Sequence, residues 1–284
     1  MTHREDRMNN FVYRGSDGCP LHATVLGQGP GLVLLHGGGP DRYSLLPLAR
    51  WLADGFTVVL PDIRGYGRSV CTDPARHTWS QYADDVHALL EHLGLQRAAV
   101  GGTGLGGTIA LRAAAARPEH VRAAVVISME DIEDDAAKEA EKKMLEDFAA
   151  RALEQGLDAA WEPLLPHLAP VIGALVRDAI GRSDPASIAA ACAIGQDRAF
   201  TDVTDLASIT VPVLVVPGAD ERHPAVLAAQ AARTLPHGHL AAVSLSADLR
   251  NAADLGRALA PVLSDFLLMH MTPHSDASQR PAAG

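Results

Sequence analysis

Aromatic residues are scarce in this chain of 284 residues, only 4% of the total, so its core must be built from aliphatic side chains. Cysteine is scarce too. Cys19, Cys71 and Cys192 are widely spaced and odd in number, with no CxxC or zinc-type spacing, which reads as buried thiols in a reducing compartment. Positive charge is outweighed, with 24 basic against 34 acidic residues and a net charge of −10. That balance argues against nucleic acid or an anionic membrane as the main partner. Long hydrophobic runs are missing as well. The longest apolar region, Leu164 to Val176, is interrupted by Pro166, His167, Pro170 and Gly173, too broken to span a bilayer. Met1 to Asn10 is polar, without the apolar stretch of a secretory signal, so a cytoplasmic location is expected.

What the chain does have is 48% hydrophobic residues in a repeating order. Phe11–Arg14 and His22–Leu26 read as an opening hairpin around Ser16-Asp17-Gly18. Leu32–Leu35, Thr57–Leu60, Ala98–Gly101, Ala123–Ile127 and Val211–Val216 are short aliphatic runs of the kind buried on both faces of a parallel sheet. Between them lie segments of helical spacing, Leu45–Ala53, Ser80–Leu93 and Ile109–Ala116, the second with Tyr82, Val86, Leu89, Leu90 and Leu93 on one stripe. Alternation of this kind predicts an α/β fold with helices on both faces of the sheet. It stops at Met129, and helical patterning runs from Asp131 to about Thr204. The rhythm resumes with Val226–Leu235, a last strand over Leu240–Leu245 and a helix over Ala252–Leu267. The expected organisation is a core of residues 1–130 and 205–270, a helical cap over 131–204 and a flexible tail over 271–284.

Three segments in this order resemble the α/β-hydrolase fold. Leu34-Leu35-His36-Gly37-Gly38-Gly39-Pro40 resembles the HGGG-type loop after the third strand. Pro61-Asp62-Ile63-Arg64-Gly65-Tyr66-Gly67-Arg68-Ser69 resembles the D-x-R-G-x-G-x-S turn after the fourth. Val100-Gly101-Gly102-Thr103-Gly104-Leu105-Gly106-Gly107 falls where the nucleophile elbow belongs. The resemblance implies a mostly parallel eight-stranded sheet with a cap inserted after the sixth strand. It also implies an oxyanion site around His36, Gly37, Gly38, Thr103, Gly104 and Leu105, with backbone donors from Gly38 and Leu105.

At the elbow the register Gly102-Thr103-Gly104-Leu105-Gly106 puts Gly104 at the nucleophile position, and glycine has no side chain with which to attack. Pro217-Gly218-Ala219-Asp220 resembles the turn that carries the triad acid, so Asp220 fits that role. The segment after the expected last strand, Ser244 to Arg250, holds no histidine, and Asp248 occupies the slot. His237 and His239 lie before that strand and read as loop. Ordinary serine hydrolysis is therefore not supported. Catalytic candidates are Asp220, His223 in place of the lost base, and Asp248, which could pair with Asp220 over the elbow as two carboxylates of separated pKa.

The expected function is action on a small carbonyl compound, an ester, lactone or β-dicarbonyl, by oxyanion stabilisation without a Ser-His-Asp triad. No metal and no cofactor are expected, and the partner is a small-molecule substrate or ligand. A non-catalytic protein binding a small apolar ligand under the cap is an alternative. A second is nicotinamide nucleotide binding through Gly102-x-Gly104-x-x-Gly107, with Glu130 a little over 20 residues on as the acidic residue. The acidic run Glu130–Asp135 otherwise reads as the cap of the first inserted helix.

Overall fold

The computed structural model describes residues 8–130, 132, 134–220 and 222–271. Eight strands form one sheet: β1 (Asn9–Arg14), β2 (Pro20–Leu26), β3 (Gly31–Leu35), β4 (Thr57–Pro61), β5 (Ala98–Thr103), β6 (Val121–Ile127), β7 (Val213–Val216) and β8 (Gly238–Leu240). Their spatial order is β1-β2-β4-β3-β5-β6-β7-β8. The first two pairings, β1 with β2 and β2 with β4, are antiparallel, and the rest are parallel. The central strands β3 and β5 are buried at every residue, as their unbroken aliphatic or glycine composition requires.

Helices α1 (Leu46–Leu52), α2 (Trp79–His92), α3 (Leu105–Ala116), α8 (Ala225–Thr234) and α9 (Ala252–Met271) cover the two faces. One apolar layer gathers α2, α3 and α8 residues such as Tyr82, Leu89, Ile109 and Ala228. The other packs α1 against α9 through Leu48, Leu52, Leu255 and Leu259. Thr78 starts α2 by accepting the Gln81 amide proton, a side-chain cap of the ordinary kind. Between β6 and β7 the chain forms α4 (Asp135–Gln155), α5 (Leu157–Trp161), α6 (Pro170–Ile180) and α7 (Pro185–Ala191), with short 3-10 turns between them and after α7. Proline sits in the first turn of α6 and of α7, where its missing N–H is harmless.

Two expectations are corrected here. The last strand is three residues, Gly238–Leu240, not Leu240–Leu245, so His239 lies within it and His237 just before it. Beyond Leu240 the side chains alternate between exposed and half-buried until Leu245, and only the Ala241 and Leu245 amides bond back to the β7 region. The acidic run after β6 divides: Asp134 caps α4 by accepting from the Ala136 and Ala137 amides, whereas Glu130 turns the other way, into the sheet's carboxyl edge. Asp131, Glu133 and the tail over 272–284 lie outside the described residues.

The loops that matter for function leave the carboxyl ends of β3, β5, β6 and β7, four adjacent strands. In an open parallel sheet this is where ligands bind.

Candidate active site

Gly104 joins β5 directly to α3 with φ +48 and ψ −119. A side chain is strained in that region and glycine is not, so the sharp turn forms readily here. The flanking glycines let the turn pack tightly. A Cβ on Gly106 would stand 2.4 Å from the Leu35 carbonyl oxygen, and one on Gly102 2.5 Å from the Gly106 carbonyl carbon. Gly102 and Gly106 thus bring strand and helix backbones together.

Glu130, three residues past the end of β6, supplies what Gly104 lacks. Its Oε1 lies 2.8 Å from where a Gly104 Cβ would be. Its carboxylate lies near the Leu105 amide, at the first residue of α3, which helps hold its pKa down, and the Thr108 hydroxyl donates to its carbonyl oxygen at 2.9 Å. The Glu130 side chain is 11% exposed.

His223 stands between two carboxylates. Its Nδ1 is 2.6 Å from Asp220 Oδ1 and its Nε2 is 3.0 Å from Glu130 Oε2. The His223 amide also donates to Asp220 Oδ1 at 3.0 Å, which fixes the ring through the turn after β7. Asp220 uses its other oxygen to accept the Ala169 amide at 3.1 Å, at the entry to α6. Burial works against charge on His223, but the hydrogen bonds to Asp220 and Glu130 and their negative charges outweigh it and push its pKa up to about 9. Burial pushes Glu130 upward, yet His223, Arg222 and the Leu105 amide hold it below the usual carboxylate range. Asp220 is likewise held low against burial by His223 and the Ala169 amide. At neutral pH the group is carboxylate–imidazolium–carboxylate. Arg222 adds a more distant cation, 3.7 Å from Glu130 and 3.5 Å from Glu141 on α4.

Above this trio lies a pocket between the sheet's carboxyl edge and the inserted segment. Gly37, Gly38, Thr103, Gly104, Glu130 and His223 form its floor, while Phe148, Trp161, Leu164 and Ile172 come from the inserted helices. The walls are aliphatic and aromatic, the ordinary character of a small-molecule site. The geometry provides a backbone donor, a carboxylate and an imidazolium at one point, a set able to polarise a carbonyl oxygen and to move a proton.

The structure thus brings together Asp220, His223, Gly37, Gly38, Thr103 and Gly104, with Leu105 contributing its amide. It separates two other candidates. His36 is fully buried and lines no part of this pocket. Its Nδ1 donates to the Gly37 carbonyl at 2.8 Å and its Nε2 accepts the Ile63 amide at 2.9 Å, so its role is to tie two loops together. Asp248 is exposed, its amide within 3.4 Å of Ser246 Oγ, and it does not meet Asp220 over the elbow. The reason is the early end of β8, which leaves that segment at the surface. Among the described residues no cluster of three metal-ligating side chains occurs.

Glu130 joins the candidates only in the structure, since the sequence presents it as a ribose ligand or a helix cap. A usable signal was present: an acid just beyond the carboxyl end of the strand beside the elbow strand.

The alpha/beta hydrolase fold family model matches residues 30–159. Among curated relatives, an uncharacterized hydrolase, YraK, of Bacillus subtilis (strain 168) is 35% identical over 105 residues, 37% of this chain and 39% of the relative. The match therefore spans about two fifths of that relative's length. A pimeloyl-[acyl-carrier protein] methyl ester esterase of Shewanella oneidensis is 26% identical over 251 residues, 87% of this chain and 75% of the relative. Of solved structures, a thermophilic esterase from Thermogutta terrifontis superimposes with a TM-score of 0.76 at 23% identity, covering 93% of this chain and all of that one. The element order, the sheet and these likenesses agree: the chain has the α/β-hydrolase fold.

Proposed function

We propose that this protein is a hydrolytic enzyme acting on a small, apolar carbonyl compound, an ester, lactone or β-dicarbonyl. In this reading it works by acid–base catalysis rather than through a serine ester. The observation that carries it is the 3.0 Å contact between His223 Nε2 and the Glu130 carboxylate at a position without a nucleophilic side chain. The inserted helices act as a cap that encloses the substrate. Its carbonyl oxygen takes over the Leu105 amide, where charge developing in the transition state is stabilised by that donor and by the α3 N-terminus. Glu130 accepts a proton from the attacking water, and the His223 imidazolium gives its Nε2 proton to the departing oxygen. Afterwards the proton on Glu130 passes to His223. Asp220 orients the ring and keeps it charged. Hydrolytic relatives support the reaction class.

The test is turnover of a panel of activated esters and lactones, with a fluorophosphonate probe read by intact mass. Turnover without labelling is expected, reduced about 10²–10⁴-fold by Glu130→Gln and by Asp220→Asn. Unchanged turnover in either variant removes that residue from the mechanism, and labelling reinstates a side-chain nucleophile.

A second reading, a non-catalytic receptor for a small apolar ligand, is favoured by the largely apolar lining of the pocket and by the lack of a side-chain nucleophile at Gly104. It requires saturable binding with thermal stabilisation and no product.

A further inference from the structure

We propose that the same site moves protons at carbon: it binds carbonyl compounds bearing a hydrogen on the adjacent carbon and catalyses their enolisation, exchanging or inverting that centre. This rests on the reading of Glu130 as the base and extends it to a second class of reaction.

Three observations carry the inference. Gly104 puts no atom between Glu130 and a ligand at the elbow, because the carboxylate itself fills the space of the absent side chain. Glu130 Oε1 stands 2.8 Å from the Gly104 Cβ position, next to the Leu105 amide that would hold a substrate oxygen, so a carbonyl oxygen bound there lies against this carboxylate. The carbon next to that carbonyl is then within reach of the base. Lastly, the proton donor His223 Nε2 is already 3.0 Å from the same carboxylate. Base and acid are adjacent, as a reaction that removes and returns one proton requires.

The step balances without a co-reactant. Glu130 takes the proton from carbon, the C–H electron pair becomes the C=C bond of the enolate, and the carbonyl π pair moves to oxygen at the Leu105 N–H. The enolate is reprotonated either by Glu130, restoring the carboxylate, or by His223 Nε2–H. In the second case the proton on Glu130 crosses to the emptied nitrogen. Carboxylates of unexceptional basicity abstract such protons when the enolate oxygen is bound as it forms. The apolar walls from Met144, Leu145, Phe148 and Trp161 keep the base poorly hydrated.

The experiment uses the full chain in D2O with two probes, phenylacetone and one enantiomer of ethyl 2-phenylpropanoate. Deuterium at the α-carbon is read by proton NMR, inversion by chiral chromatography and ester cleavage by acid release in the same tube. Wild type is expected to exchange the α-proton of at least one probe about 100-fold or more above buffer, and Glu130→Gln to lose about 100-fold, at the low end of what a positioned base contributes. His223→Asn is expected to slow inversion more than exchange, because Glu130 alone can return deuterium to the face it attacked. Circular dichroism and melting of both variants confirm that they fold. No exchange above buffer, or exchange untouched by Glu130→Gln, overturns the proposal. Cleavage without exchange overturns it while leaving the hydrolytic reading standing, and exchange without cleavage does the reverse.

Discussion

The Glu130 carboxylate stands in the place a Gly104 side chain would take: a Cβ there would lie 2.8 Å from Glu130 Oε1 and 3.6 Å from His223 Nε2. The two residues are complementary. A side chain at Gly104 would force the Glu130 carboxylate to shift.

Restoring a serine by Gly104→Ser alone should therefore fail to create a serine hydrolase, since the new atoms collide with Glu130. Combined with Glu130→Ala, the same change frees the space and leaves the introduced hydroxyl beside the His223–Asp220 pair. The expected result by intact mass is fluorophosphonate labelling of the double variant and none of the single one. Equal labelling of both would show that Glu130 moves aside readily.

Stability should depend on pH through the trio. The folded pKa of His223, about 9, lies above its unfolded value near 6.5. Its contribution, on the order of 3 kcal/mol, is fully present below pH 6.5 and is lost as pH rises through 9. Glu130 and Asp220 are held low, so theirs is present above the ordinary carboxylate range and lost as pH falls through their folded values. Melting temperature should fall between pH 6.5 and 9, and His223→Gln should flatten that decline. A slope unchanged in the variant would place its origin elsewhere.

Asp62 holds the loops beneath the site. It accepts the Arg42 and Arg68 amides at 3.0 and 2.8 Å and pairs with the Arg42 guanidinium, both side chains being fully buried or nearly so. Asp62→Ala strands that cation in the interior, and removing one partner of a buried pair costs about 3–5 kcal/mol. Urea unfolding should show a loss of that size; one below about 1 kcal/mol would mean that Arg42 finds another partner.

Ser128 has φ +59, alone among the described non-glycine residues in the left-handed region, and its buried hydroxyl has no protein partner. Ser128→Gly relieves both features and should stabilise the protein by about 1 kcal/mol, roughly 2 °C in melting temperature. A lower melting temperature would indicate that the hydroxyl is satisfied in solution, by water for example.

Local patterning made the sheet readable. Leu32–Leu35, Thr57–Leu60 and Ala123–Ile127 are aliphatic runs whose burial follows from composition, and each lies in a strand. Gly104 and Asp220 are placed at the elbow and at the turn after β7 by resemblance to the α/β-hydrolase turns. Glu130 is legible only through the sheet order, because its meeting with Gly104 is created by the pairing of β5 with β6 rather than by any local pattern. His223 was weighed as a substitute base, but its placement depends on a three-residue turn closing on Asp220, which side-chain hydrogen bonds decide. Asp248 was misplaced through the length of β8, a strand whose exposed His239 and Leu240 give little burial to extend it.

Asp220 faces two ways, with one oxygen on the imidazole and the other on the Ala169 amide that begins α6. The start of α6, the third helix of the insertion, is in this sense a clasp on the Asp220–His223 pair. The Ala169 amide is one of the donors that hold the Asp220 pKa down, so the seat of α6 is written into the basicity of the carboxylate that grips the imidazole: a chain whose α6 sat further off would have a stronger base at Asp220 and a tighter bond to His223.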